Sequence, residues 1–173
     1  MSTAGELIRK ARYELYDTAV IEYSDEELLH YLADAVSHLT RVLVSACSSY
    51  NVRESFVVVS PIPLPEKFLA LAEYEPERVR IVGSEIYCKR LPATLRYYIE
   101  YSRPDSADFI MDVPQAFESV LSRMVTARAL NRNEYSTALE QQYIQTYTAE
   151  IVRIARQRDG LIVNAERKVK YEL

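Results

Sequence analysis

Glycine and tryptophan are scarce in this sequence, whose 173 residues include 3 Gly and no Trp. Gly-rich loops hold phosphates because a residue without a side chain lets the backbone approach them closely. So few glycines disfavour a phosphate-binding loop and a dinucleotide-binding fold. The length suits one domain that can bury a sizeable hydrophobic core.

Cysteine is also scarce, and long hydrophobic runs are missing. The two cysteines, Cys47 and Cys88, have no metal-type spacing, so we interpret them as free thiols in a reducing cytoplasm. No apolar run approaches the ~20 residues that a membrane span needs. The polar helix that follows Met1 has no signal-peptide pattern. We therefore expect no contact with a membrane.

Catalytic motifs are missing as well. The sequence has no nucleophile elbow, phosphate loop or Cys–His pairing. Carboxylate pairs such as Glu26 with Glu27, or Asp105 with Asp108, are commonplace at helix starts and in loops, so they do not indicate an acid and a base. We predict that the protein is not an enzyme and binds no cofactor.

One spacing is typical of a metal site. His30, Asp34 and His38 recur every four residues, which places them on one face of a helix where they could bind zinc. Glu27 and Arg41 share that face, and the leucine stripe of the helix points the other way. We favour a solvated polar face over a metal site.

Charge is unevenly distributed along the chain. The net charge of -4 argues against a general nucleic-acid-binding protein, which needs a basic surface to neutralise phosphates. Seven acids and three bases lie in residues 1–30, whereas three acids and six bases lie in residues 153–173. The two ends of the chain therefore have opposite signs.

Tyrosine is abundant, with 14 residues. Its ring is apolar and its hydroxyl is polar, so tyrosine suits partly buried contacts between subunits as well as a core. The composition leaves both roles open.

Two helix starts lie near the N terminus. Thr3 with Glu6 and Ser24 with Glu27 both match a capping box, and apolar residues at helical spacing follow each pair. Helices joined by a short loop form an antiparallel hairpin. We predict such a hairpin over residues 3–48.

The middle of the chain has strand patterns instead. Between residues 55 and 103, β-branched runs are separated by prolines, and residues 94–101 alternate as a half-exposed strand does. Pro65 could open a short helix. Residues 79–88 predict a strand with a kink at Gly83.

Helical signals return after Pro114. Helical patterns extend over residues 114–158, with a break near residues 131–133 and a long last helix from about Glu134 to Arg158, which Asp159-Gly160 is expected to end. The apolar arc of the last helix is wider than one core-facing stripe needs, so we expect this helix to contact a neighbouring subunit as well. The residues expected at that subunit interface are Tyr143, Ile144, Tyr147 and Ile151.

Together these elements predict a mainly α fold. It is one domain over residues 1–158, a helical bundle with a small antiparallel β insertion, followed by an extended C-terminal tail over residues 159–173. The tail has two interpretations, a disordered solubilising end or a peptide that orders on an acidic partner. Apolar residues among its bases favour binding to a protein groove over binding to bare phosphate.

Four short runs carry a resemblance to a known family. They are LIRKARYELYD at residues 7–17, YSDEELL at 23–29, VP at 113–114 and TARAL at 126–130. In this order, and followed by a long final helix, they resemble the head-to-tail adaptor proteins of tailed bacteriophages, also called connector or head completion proteins.

The resemblance implies a structural protein of the virion, made in the host cytoplasm. Copies of such adaptors form a dodecameric ring below the portal protein, contact tail or nozzle proteins, and leave a channel through which genomic DNA passes without specific binding. A net-acidic ring would neutralise few phosphates, so DNA would slide through it. The C-terminal segment of several adaptors docks on the portal, which assigns that role here to Arg167, Lys168, Lys170, Tyr171 and Leu173.

A second class of protein fits the same helices. A small cellular regulatory or scaffold protein could bind DNA through the hairpin of its first two helices. The acidic N-terminal third disfavours DNA contact there. Such a protein should be a stable monomer or dimer, whereas an adaptor should assemble into a ring on its portal.

Overall fold

The chain divides into two compact units in the computed structural model, which describes residues 2–72, 78–132 and 136–171, the last eleven of these (161–171) by their backbone alone. The helical unit comprises Met1–Ser48 and Tyr101–Leu173. The sheet unit comprises Ser49–Glu100. The sheet unit is therefore inserted into the chain of the helical unit.

The fold is mixed α+β, so the predicted mainly α bundle is wrong. Over the described residues about 50% of the chain is helical and 19% is strand, with four helices and six strands in two antiparallel sheets. The prediction underestimated the strands because several are short and pair with distant segments, and such pairing leaves little periodic pattern in the sequence.

The first two helices begin at their predicted caps. In α1 (Ala4–Glu14), the N–H of Glu6 donates to Thr3 Oγ1 at 3.3 Å and the N–H of Thr3 donates to Glu6 Oε2 at 3.1 Å. This reciprocal pair confirms the predicted capping box. In α2 (Asp25–Ser45), the N–H of Glu27 donates to Ser24 Oγ at 3.1 Å, whereas the Glu27 carboxylate accepts from Tyr31 and Arg132, so only the Ser24 half of the second predicted capping box is found.

Two more helices follow the sheet unit. A short 3-10 turn at Gln115–Phe117, next to the predicted start at Pro114, leads into α3 (Glu118–Asn131). The last helix, α4 (Thr137–Tyr171), continues through Gly160, so the predicted helix stop and the predicted extended tail are both wrong. A glycine within a helix costs only about 1 kcal/mol relative to alanine, and no proline follows to end the helix.

The core of the helical unit lies around α2. Leu32 and Leu39 have no exposed surface, which confirms the predicted orientation of this helix. Leu7 of α1, Leu121 of α3 and Ile151 of α4 are equally buried. Each of the four helices therefore contributes a fully buried side chain to the helical unit.

The sheet unit contains two three-stranded antiparallel sheets with a core of their own. Its strands are β1 (Val52–Val57), β2 (Ile62–Pro63), β3 (Phe68–Leu71), β4 (Val79–Val82), β5 (Glu85–Cys88) and β6 (Ala93–Ile99). The strand orders are β1-β6-β3 and β2-β5-β4. Val57 and Leu95 of the first sheet pack with Ile86 and Cys88 of the second.

Two local predictions in the sheet unit need correction. The segment after Pro65 is not helical, because the backbone turns at Lys67 (φ +58°) and then enters β3, which pairs with β6. The single strand predicted over residues 79–88 is a hairpin, and Gly83 (φ +60°) begins the two-residue turn between β4 and β5. The strand predicted at residues 94–101 is confirmed by β6.

Neither cysteine forms a disulfide, as predicted. Cys47 is exposed just after α2, whereas Cys88 is buried in β5. Burial raises the pKa of the Cys88 thiol, because the charged thiolate is poorly solvated there. This thiol therefore packs as a small apolar group.

Candidate interaction surfaces

The residues considered as metal ligands lie on a polar face of α2. His38 Nε2 is 3.0 Å from Thr148 Oγ1, Asp34 Oδ2 is 3.2 Å from Arg128 Nη1, and His30 Nε2 is 3.8 Å from Asp34 Oδ2. Helices α3 and α4 therefore cover part of this face, and of the three residues only His30 is exposed as expected. Burial lowers the pKa of His38, so its ring is neutral at pH 7. In the described ranges, no cluster of three or more His, Cys, Asp or Glu could hold a metal ion.

Of the four carboxylates considered as acid–base pairs, one forms hydrogen bonds between helices and three are exposed. Glu27 accepts hydrogen bonds from Tyr31 Oη at 2.8 Å and from Arg132 Nη1 at 2.9 Å. Burial, and then the bond to Glu27, raises the pKa of Tyr31 to about 12. Glu27 thus joins the start of α2 to the end of α3. The other three carboxylates are exposed: Glu26, Asp105 and Asp108.

The four residues predicted at a subunit interface differ in their exposure. Ile151 is fully buried in its own unit, so it offers no surface to a neighbour. Tyr147 is half-buried and its hydroxyl donates to the carbonyl of Arg123 at 3.2 Å. Tyr143 is half-buried, and Ile144 is 43% exposed. Ile144 and part of Tyr143 therefore form the accessible apolar part of this stripe.

Four of the five residues predicted to dock on a portal lie at the end of α4. The backbone at Arg167, Lys168, Lys170 and Tyr171 is helical, and Leu173 lies outside the described residues. Arg156 lines a groove together with Ala46, which follows the last residue of α2. From that level α4 continues to Tyr171, roughly 22 Å farther at ~1.5 Å per residue. The basic end of α4 therefore extends beyond the end of α2.

A groove of about 440 Å³ lies between α2 and α4, and we call it the α2–α4 groove. Its apolar lining is supplied by Val42, Ala46 and Val152, which are buried or half-buried. Arg41 and Arg156 line it too, and both side chains are exposed. The groove thus combines an apolar lining with two cations.

The loop between α1 and α2, residues 15–24, is held by a buried ion pair. Arg12 Nη1 donates to Asp17 Oδ2 at 2.6 Å, and both side chains are buried. The carboxylate of Asp17 also accepts the backbone N–H groups of Ile21, Glu22 and Tyr23 at 2.9 to 3.1 Å. One carboxylate therefore fixes the second half of this α1–α2 loop.

These hydrogen bonds also set the protonation of Asp17. The N–H of Glu22 lowers the pKa of Asp17 most, burial opposes it, and the N–H groups of Ile21 and Tyr23 and the charge of Arg12 lower it further. A carboxyl with a lowered pKa stabilises the fold at any pH above its unfolded value, here 3.8. That contribution is lost as the pH falls through the lower, folded value.

Replacement of this carboxyl gives a pH-dependent prediction. Asp17→Asn is expected to lower the free energy of unfolding at neutral pH, because the amide cannot match a charged acceptor of an arginine and three N–H groups. The difference from wild type should begin to shrink as the pH falls below 3.8, where Asp17 is protonated in the unfolded chain, and should continue to shrink down to the lower pKa of the folded state. Urea unfolding at a series of pH values measures this, with the exposed Asp105→Asn as control. A difference that is the same at every pH would contradict the assignment.

The α1–α2 loop exposes large apolar side chains. The exposed fractions are 94% for Tyr16, 86% for Ile21 and 52% for Val20, and Tyr13 at the end of α1 is 77% exposed. Tyr16 and Val20 both have φ of +56°, an uncommon conformation for a residue with a side chain and a costly one for valine. The Asp17 hydrogen bonds hold the loop in this conformation.

The same loop is strongly acidic. No Lys, Arg or His occurs between Tyr13 and Glu26, and that run contains five acids. Asp17 is neutralised by Arg12, which also reaches Asp25 at 2.6 Å. Glu22 and Glu26 are exposed. The loop therefore presents apolar side chains beside surface carboxylates.

Sequence reasoning did not identify this loop as a surface. A signal was present: both helices are bounded by caps, and Tyr16, Val20 and Ile21 lie between them, outside either apolar stripe. Apolar residues in a short loop with no helix face to join are candidates for exposed contacts.

Comparison with known proteins adds no family to this description. No family model matches the chain, and no curated protein is significantly similar to it. None of the helices in the described ranges is long and apolar enough to span a lipid bilayer.

Proposed function

We propose that this chain is a structural head-to-tail adaptor subunit of a tailed bacteriophage. Its copies form a ring below the portal, join the capsid to the tail, and leave a channel for DNA. The observation that carries the proposal is the length of α4, because its basic end extends past the end of α2. The order of sequence features that resembles the adaptor family supports the same assignment.

The length and charge of α4 suit a docking element. Its middle is anchored by Ile151 and Ala155, neither of which has exposed surface. After Ile151 the helix contains six bases and two acids. A helix anchored in its middle and basic at its end can reach an acidic partner while its own unit stays folded. In the proposal that partner is the portal.

Exposed apolar residues support a role in assembly. Besides the α1–α2 loop, the sheet unit exposes Phe56, Val58 and Val59 by 62 to 69% at the end of its edge strand β1. Large apolar residues that cluster on a surface are typical of protein–protein contacts. A subunit covered by neighbours and tail proteins would bury them.

The charge of the chain suits passage of DNA without specific binding. Its net charge is -4, and duplex DNA binds by contact of its phosphates with lysine and arginine. A channel built from net-acidic subunits would make few lysine or arginine contacts with the phosphates of DNA. In the proposal, DNA therefore moves through the ring without being held.

Binding to portal rings tests the proposed function. Purified chain and portal rings of the same phage are mixed and sedimented, with portal rings of an unrelated phage as control. The expected result is saturable pelleting of the chain with its own portal only. Absence of the chain from the pellet at every mixing ratio would contradict an adaptor role.

A cellular regulatory or scaffold protein is the alternative. It would bind no portal and would stay a monomer or dimer when mixed with one. DNA binding through the α1–α2 hairpin is disfavoured by the exposed Glu22 and Glu26, because phosphates repel carboxylates. The sedimentation experiment separates the two classes directly.

A further inference from the structure

We propose that the α1–α2 loop of one copy of this chain seats in the α2–α4 groove of a second copy. The inference rests on self-assembly, which the proposed function requires, and it names the two surfaces that meet. The occupant of the groove is thus a second copy of the chain, through a loop that is exposed in the single chain.

The apolar parts of the two surfaces complement each other. Ile21 and Val20 project from a loop, with 86% and 52% of their surface exposed. The groove offers Val42, Ala46 and Val152 as its apolar lining. Seating branched aliphatic side chains against such a lining removes apolar surface of both copies from water, which drives association.

The charges complement each other as well. Glu22 and Glu26 are exposed on the loop, whereas Arg41 and Arg156 are exposed at the groove. Tyr16, 94% exposed, presents an aromatic ring on which a guanidinium can stack. Opposite charges on the loop and the groove fix the register of the contact. Two grooves would repel each other, because both carry exposed arginines.

The loop and the groove lie at opposite ends of α2. The loop precedes Asp25, the first residue of α2, and the groove is lined by Ser45 and Ala46 at its end. The nearest α2 residue of the groove, His38, lies 13 residues beyond Asp25, so the two surfaces are about 20 Å apart along the helix. The loop of one chain therefore cannot reach the groove of the same chain.

Such a contact is heterologous, because two different surfaces meet. Each copy uses its loop on one neighbour and its groove on the other. Repetition of a heterologous contact closes into a ring when the rotation between copies permits, and otherwise continues as a filament. The positions of the two surfaces on one unit therefore support head-to-tail assembly, which the proposed function requires to close into a ring.

The loop is preorganised for this contact. Asp17 ties Ile21, Glu22 and Tyr23 to the buried Arg12. A loop that is already ordered loses less conformational entropy on binding. A role in binding therefore accounts for the buried Arg12–Asp17 pair, which orders a loop whose apolar side chains face solvent.

Mixing two defective variants tests the inference. Ile21→Asp disables the loop and leaves the groove intact, whereas Arg156→Glu disables the groove and leaves the loop intact. Each variant alone is expected to self-associate about tenfold more weakly than wild type or worse. The mixture is expected to form one-to-one dimers and nothing larger, because only one functional loop and one functional groove can meet. Mass photometry and sedimentation velocity measure the species.

A control variant distinguishes loss of the contact from misfolding, and portal binding is measured separately from self-association. Ile110→Asp places the same change on another exposed isoleucine, 63% exposed, and should assemble as wild type does. Wild-type assembly by both defective variants, or no dimers in their mixture, would overturn the inference. If the wild type binds the portal and both variants self-associate as strongly as the wild type, the inference is wrong and the proposed function stands. If wild type self-associates through these surfaces but does not bind the portal, the proposed function fails alone.

Discussion

Deletion of residues 159–173 is expected to leave a folded helical unit that no longer binds portal rings. The buried anchors of α4, Ile151 and Ala155, lie before the deletion and keep their packing. The deleted segment removes Arg167, Lys168 and Lys170, on which the attraction to an acidic portal surface depends in the proposal. Co-sedimentation with portal rings measures the loss, and thermal unfolding checks that the remaining unit is folded.

A variant that changes only the charge of the α4 end distinguishes electrostatic docking from an effect of shortening the helix. Replacing the three bases of the α4 end by glutamine should weaken portal binding, and the wild-type interaction should weaken with added salt, because exposed charges are screened beyond ~8–10 Å at physiological ionic strength. The same changes at Arg53, Arg90 and Arg103, which are exposed elsewhere, serve as the matched control. Undiminished binding by the deletion variant would show that the end of α4 is not the docking element.

Leu32→Ala and Leu39→Ala should each destabilise the helical unit strongly. Both side chains are fully buried at the centre of the core, and removal of a buried leucine side chain typically costs ~2–5 kcal/mol, depending on the cavity that remains. Urea unfolding measures the change in the free energy of unfolding. Leu130→Ala, at a position 54% exposed, is the matched control and should stay within about 0.5 kcal/mol of wild type. Unchanged melting temperatures for both core variants would contradict the orientation of α2.

Helix starts were predictable because their signals are local. Thr3 with Glu6, and Ser24, satisfy backbone donors within one turn, so their role can be read from neighbouring residues. The orientation of α2 followed from the spacing of its leucines, and the full burial of Leu32 and Leu39 agrees. These features need no knowledge of distant contacts.

The strands were less predictable because they depend on distant partners. β3 carries no alternating pattern, and it forms because Phe68–Leu71 pairs with β6, which comes later in the chain. The positive φ at Lys67 ends any helix that Pro65 would open. The fold class was wrong for this reason, since pairing of strands outweighed the helical signal of a proline.

The end of α4 shows the limit of a stop signal. Gly160 was expected to end the helix, yet the backbone stays helical to Tyr171. Glycine weakens a helix by only about 1 kcal/mol, and the residues on both sides continue it. The α1–α2 loop shows a different limit: its exposed apolar side chains were visible in the sequence, but their fixed arrangement depends on Asp17 and Arg12, which the spacing of residues did not predict.

Electron microscopy of the chain mixed with portal rings of its phage tests the central claim most directly. The adaptor account predicts an additional dodecameric ring of density, coaxial with the portal, with an open channel on the axis and the end of α4 from each copy directed at the portal. Portal rings without added density, together with a chain that stays monomeric or dimeric in the same sample, would contradict the account.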